Sequence, residues 1–194
     1  FNQDTELRQM LEVSLDDECY NDPMSRTLVV DFAYYLKEYY NKKSILNVPR
    51  VWLYAPGENA RLWDECIANG KMYLGWDQMG DLSKYASRED MIEKMKEVYS
   101  ADKSYTNDSL STYDFVYTMK PGDIVYVKKG MHKIIGRGVV AGGFEYDAGR
   151  KEYKNTRNVE WQNNGEWNVE SQLVMKTLTD ITRCPGLVAS LESV

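Results

Sequence analysis

Asp147, Glu152 and Lys154, in the stretch YDAGRKEYK, stand in an acid, acid-x-lysine order. Two carboxylates so placed would hold Mg²⁺ while the lysine steadies an attacking water, as in metal-dependent nucleases. The pattern is short, and a solvated hairpin in charged sequence produces it equally well, so the hairpin is the preferred reading. The sole Gly-Lys pair is Gly70-Lys71, and Glu65 occupies the place where a phosphate loop needs glycine. His132 is the one histidine. A Ser-His-Asp triad would have to use it, although a histidine just after a glycine turn reads as a surface strand residue. A lone histidine also excludes a His-rich metal site. Cys19, Cys66 and Cys184 are widely spaced and odd in number. They fit neither a zinc ribbon nor a disulfide framework, and read as reduced thiols of a cytoplasmic protein. The expectation is a chain with no catalytic residues, no metal and no cofactor.

The aromatic residues are the richer signal: 5 Trp and 15 Tyr in 194 residues. Many must pack in a core. Trp52, at the start of a strand-like run, is expected there. Trp63 follows Asn59 by four and faces either the core or a pocket. Trp76, between Gly75 and Asp77 at a strand end, sits where a ring stays partly open, and is the strongest pocket candidate. Net charge is −6, against simple attraction to nucleic acid. The distribution is uneven. Residues 1–48 carry five basic residues against nine acidic, net −4; residues 120–157 carry nine against four, net +5. On charge alone a solvated strand face is the favoured reading of the basic segment, with a polyanion surface as the alternative.

The spacing of apolar residues supplies the elements. Residues 1–48 predict acidic helices, with Leu28, Phe32, Tyr35, Leu36 and Tyr39 at helical intervals. The pattern changes at Pro49, so the chain divides into a helical extension over 1–48 and a domain over 49–194. RVWLYA predicts a strand. Asn59 caps a helix through ARLWDECIA that stops at Gly70. MYLGWD is a second short strand. SREDMIEKMKEVY is a helix whose Ser87 and Asp90 form a capping box. DIVYVKKG and KIIGRGVVAGGFEYD are neighbouring strands around Gly130, with glycines at bends. YKNTRNVEW and GEWNV follow, and Pro185 opens a last helical turn. The architecture is α+β: a curved or barrel-like sheet with helices inserted between its first strands. No apolar run approaches 18 residues, so no membrane span is expected.

The order VWLYAPGENARLWDECIANGKMYLGWDQMGDL, then MKPGDIVYVKKGMHKIIGRGVV, then KTLTDIT, resembles the N-terminal modules of some McrB-type restriction ATPases, which are similar to the EVE and YTH domains of the PUA-like superfamily. The resemblance covers about residues 49–192. It implies a small mixed β-barrel flanked by helices that reads a flipped-out, often methylated, base in an aromatic cage. Carried onto this chain, Trp76 follows the second strand as a cage tryptophan does. Tyr54, Pro56, Glu58 and Asn59 would line the same pocket; Trp63 is a further cage candidate, and Phe144 or Tyr146 would add another ring. Asn59, Asp77 and Glu58 would read the base edge. Lys128, Lys129, Lys133 and Arg137 would hold phosphates. The expected partner is modified duplex DNA, or modified RNA in a second reading. An AAA+ GTPase domain in the full-length chain and a nuclease subunit are the further partners the resemblance implies. A protein-interaction domain using the acidic helices is the reading from a different class.

Overall fold

A computed structural model describes residues 49–170 and 172–193; the extension expected over 1–48 lies outside the described residues. The run VWLY forms β1 (Val51–Tyr54), buried at every position. A continuous apolar run, rather than an alternating one, suits a strand covered on both faces. Trp52 and Tyr54 join a large apolar cluster on one face, and Val51 and Leu53 join a smaller one on the other. β1 pairs in parallel with β3 (Ile124–Lys129) and antiparallel with β6 (Leu178–Asp180). A parallel pair needs a long crossover. Here it carries α1 (Trp63–Asn69), β2 (Lys71–Leu74), α2 (Arg88–Val98) and α3 (Thr106–Tyr113). The long strands β4 (Lys133–Tyr146) and β5 (Asn155–Asn168) pair antiparallel, and α4 (Pro185–Glu192) ends the described chain. The sheet order is β2-β5-β4-β3-β1-β6.

β1 and β2 are four places apart in that order, which in a flat sheet would separate them by roughly 19 Å. Yet the Tyr54 hydroxyl donates to the Tyr73 carbonyl at 2.7 Å and accepts from the Tyr73 N–H at 2.9 Å. The sheet therefore curls into a half-barrel until its inner face closes on itself. Register shifts at Val127/Lys128, Ile134/Gly136, Arg137/Gly138 and Val140/Phe144 supply the bends. Two of the bend glycines have a second cause. A Cβ on Gly136 would overlap the Trp63 ring, and one on Gly138 the Trp161 ring. Those two rings pack edge to face at 4.8 Å.

The expected α+β class, the curved sheet and the helices among its first strands are all present. The Ser87–Asp90 capping box opens α2, and Gly70, at φ 61°, closes α1. Asn59 does not cap α1. It lies in a tight turn over Glu58–Ala60 at φ 51°, and α1 starts only after Leu62. The two segments expected around Trp161 and Trp167 are one 14-residue strand, β5. Two buried charges tie the elements together. Asp123 accepts from Arg50 N–H, Trp52 Nε1–H and Lys120 N–H. Arg157, counted above among the basic surface residues, is buried; it donates to the carbonyls of Phe115, Val116 and Gly142. The first two belong to the wide turn Asp114–Thr118 that extends α3, where carbonyls lack helical partners. Burial pushes the Arg157 pKa down to about 10.

Tyr54→Phe would leave a buried peptide N–H and C=O at Tyr73 without partners. The expected cost is about 2–4 kcal/mol, read by urea denaturation, with faster amide exchange at Tyr73. Wild-type stability would show that the curl is held elsewhere.

Candidate functional site

The curl brings the ends of β1, β2 and β3 to one mouth. Between them lies a cleft of about 670 Å³, lined by the turn Gly57–Ala60, by Gly75 and Trp76, by Tyr99 and Tyr153, by Lys128, and by Met175–Thr177. Its volume is that of a small-ligand site. The turn after β1 is built from left-handed residues: Gly57 at φ 73°, Asn59 at 51° and Ala60 at 60°. Trp76, at φ 70°, makes a second such turn after β2. Its half-buried ring is braced edge-on by Tyr99, centroids 5.2 Å apart, and by Tyr105 at 6.1 Å. Tyr153, at φ 53°, is the third left-handed corner. Its position is set by Asp77, whose two carboxylate oxygens accept from Tyr153 N–H at 2.8 Å and Lys154 N–H at 2.9 Å. The Arg61 guanidinium lies 5.1 Å from the Tyr153 ring centroid while donating to both oxygens of Glu152.

Of the residues singled out from sequence, Trp76, Asn59, Glu58 and Lys128 line this cleft. Asn59 and Glu58 are exposed, and their side chains form no hydrogen bond with any described residue. Asp77 is not free to read a base edge, because both its oxygens hold the Tyr153–Lys154 backbone. Tyr54 does not reach the cleft: it is fully buried with its hydroxyl committed to Tyr73. Trp63 is buried against Trp161, donates to Asn164, and borders a separate depression of about 410 Å³. Phe144 packs edge-on against Phe115, and Tyr146 sits opposite Asn155 in the β4–β5 ladder; neither borders the cleft. Tyr99 and Tyr153 were not anticipated. The Asp77 clasp, formed across 76 positions of sequence, holds Tyr153 at the site.

The expected phosphate contacts are also redistributed. Lys128 is only 5% exposed, and burial pushes its pKa down. Lys129 and Lys133 share Glu166, at 3.4 and 2.9 Å. Arg137 bonds to Gln162 and lies 5.8 Å from the Tyr126 ring centroid. The nuclease-like triplet sits on the β4–β5 hairpin, with its groups engaged elsewhere: Glu152 pairs with Arg61, Asp147 accepts from Gly149 N–H, and the Lys154 backbone is held by Asp77. Among the described residues no group of three His, Cys, Asp or Glu is placed to hold a metal ion, and no helix is long and apolar enough to cross a membrane.

The region that builds this cleft, from Trp52 in β1 to Thr182 just after β6, is matched by one family model. The chain belongs to the DUF8426 family. Its description is Domain of unknown function (DUF8426), and the match covers residues 52–182. Among solved structures, the DUF8426 chain is similar to the YTH domain of the Zygosaccharomyces rouxii MRB1 protein, solved in complex with N6-methyladenosine RNA. Identity is 9%, the TM-score is 0.39, and the match covers 76% of this chain and 90% of that one. A search of curated proteins finds no match.

Asp77→Asn in the DUF8426 domain would set an amide NH₂ against a backbone N–H and release one end of the clasp. The expected loss is about 1–3 kcal/mol, with faster amide exchange at Tyr153 and Lys154. Unchanged exchange at both would mean that the clasp does not position the tyrosine.

Proposed function

We propose that this domain is a nucleic-acid-binding module that takes one flipped-out base, methylated or otherwise modified, into the cleft. The observation that carries the reading is the cleft's makeup: the rings of Trp76, Tyr99 and Tyr153 beside the uncommitted side chains of Asn59 and Glu58. A base is a flat, partly apolar object with hydrogen-bonding edges. Extruding it costs a few kcal/mol, and aromatic stacking returns about 1–3 kcal/mol per base. The thioethers of Met131 and Met175 on the same walls suit an added methyl group. The resemblance of residues 49–192 to EVE and YTH modules of the PUA-like superfamily points the same way. In this reading the nucleic acid is DNA and the module supplies specificity in a restriction or defence system, the GTPase motor and nuclease being separate parts. The domain itself catalyses no hydrolysis of GTP, ATP or DNA.

The test is a binding screen of methylated and unmodified DNA and RNA duplexes and single strands, repeated with Trp76→Ala. The variant should stay folded, since the ring is half-buried, and should bind the preferred modified strand about tenfold to a hundredfold more weakly. Preference for RNA would transfer the module to modified transcripts. No binding to any nucleic acid would leave a protein-interaction domain. A second expectation concerns the basic face. Glu166→Gln should free Lys129 and Lys133 from their shared carboxylate, raise overall affinity, and steepen the salt dependence. An unchanged salt slope would place the backbone elsewhere.

A further inference from the structure

We infer that the base read in this cleft is an oxo-purine of guanine type, selected by Lys128 and Glu58 against adenine and its N6-methyl form; this rests on the function proposed above. Lys128 follows the register shift at Val127/Lys128, near the end of β3, and lines the cleft while only 5% exposed. Its ammonium forms no hydrogen bond or ion pair with any described residue. The stem is buried and the ammonium meets only solvent in the cleft, so a ligand that supplies acceptors there replaces that water with a fixed partner. Glu58 lines the same cleft from the turn after β1, the strand that pairs with β3, with its carboxylate likewise unpaired among the described residues. Two opposite charges thus border one space without closing on each other.

Depth decides what Lys128 can touch. In a polynucleotide the sugar and phosphate stay at the mouth and only the base enters, so a lysine whose small exposed fraction lies on the cleft wall meets the base edge. The half-exposed Lys176 is left for the phosphate. An ammonium is a donor only and an ionised carboxylate an acceptor only. The matching base needs acceptors on one edge and donors on another. Guanine presents O6 and N7 as adjacent acceptors, a common lysine target, and N1–H and N2–H₂ as adjacent donors. Adenine has no carbonyl oxygen, and it turns its N6 amino group toward the place where O6 would accept. Cytosine has acceptors and one amino donor but lacks the paired donors that face Glu58.

The experiment titrates the 194-residue chain with guanosine, cytidine, adenosine and N6-methyladenosine, following tryptophan fluorescence. Guanosine should bind at least about tenfold tighter than either adenosine. Lys128→Met should weaken guanosine about tenfold to a hundredfold, the discrimination expected of one good edge contact, and leave adenosine unchanged. Its melting temperature should hold or rise, because a thioether replaces a buried charge. Glu58→Gln, at an exposed position that tolerates change, should weaken guanosine selectively and provides the test even if the lysine variant folds poorly. Adenosine binding as tightly as guanosine, cytidine binding tighter, or variants that weaken every nucleoside alike would overturn the inference and leave the base-reading function standing. Failure of every nucleoside and of every strand in the wider screen would overturn that function and this inference with it.

Discussion

A single hydroxyl, that of Tyr54, holds together two strands that the sheet order keeps four places apart. It donates to the carbonyl and accepts from the N–H of one residue, Tyr73, replacing a rung of backbone ladder that no neighbouring strand could supply. It closes the curl that the register shifts bend into the sheet, and the site follows from the curl. Once β1 and β2 are clasped, the turn after each opens onto the same mouth, one carrying Glu58 and Asn59 and the other Trp76. A tyrosine with two uses, ring in the core and oxygen on a backbone, is the residue type that closes a small barrel without a polar void.

The backbone is least relaxed where the cleft is formed. Among the described residues, the non-glycine positions with left-handed φ are Asn59, Ala60, Trp76, Tyr105 and Tyr153. Four of them line the cleft, and the fifth braces Trp76 edge-on. Each such residue costs on the order of 1–2 kcal/mol. Strain of this kind persists only where surrounding contacts over-determine it. Here those contacts are the Asp77 clasp on Tyr153 and the two ring edges against Trp76. A reader of flat ligands needs walls that do not fold into the space between them, and strained, braced corners provide that rigidity before any ligand arrives.

Much of this was legible in the sequence, for reasons that can be named. β1 was legible because VWLY is an uninterrupted apolar run, and α2 because Ser87 and Asp90 close a local box. Trp76 was legible because a strand end beside a turn is where a ring stays partly open. What could not be read depends on contacts between distant positions. Asn59 has the chemistry of a cap, yet its left-handed backbone puts it outside the helix. The resemblance makes Tyr54 and Trp63 cage candidates, but the curl draws Tyr54 inward and the missing Cβ of Gly136 makes room for the Trp63 ring. Tyr153 carries no local signal; Asp77 recruits it across the fold. β6 is three residues, Leu178–Asp180, too short for any periodicity to show.

Charge shows the same limit of composition most clearly. The segment 120–157 nets +5, but folding commits much of it. Arg157 is buried on backbone carbonyls, Arg150 pairs with Glu65, and Lys129 and Lys133 share Glu166. These pairs are mostly surface contacts worth little to stability. Their larger effect is to flatten the positive field that a polyanion would meet. A chain of net charge −6 arranged this way gains little from long-range steering. Of the cations expected on the surface, Lys128 instead lines the cleft without a partner among the described residues, where a hydrogen bond to a ligand is less screened than the contacts outside. Discrimination at the base, rather than attraction to the backbone, is what such a distribution of charge favours.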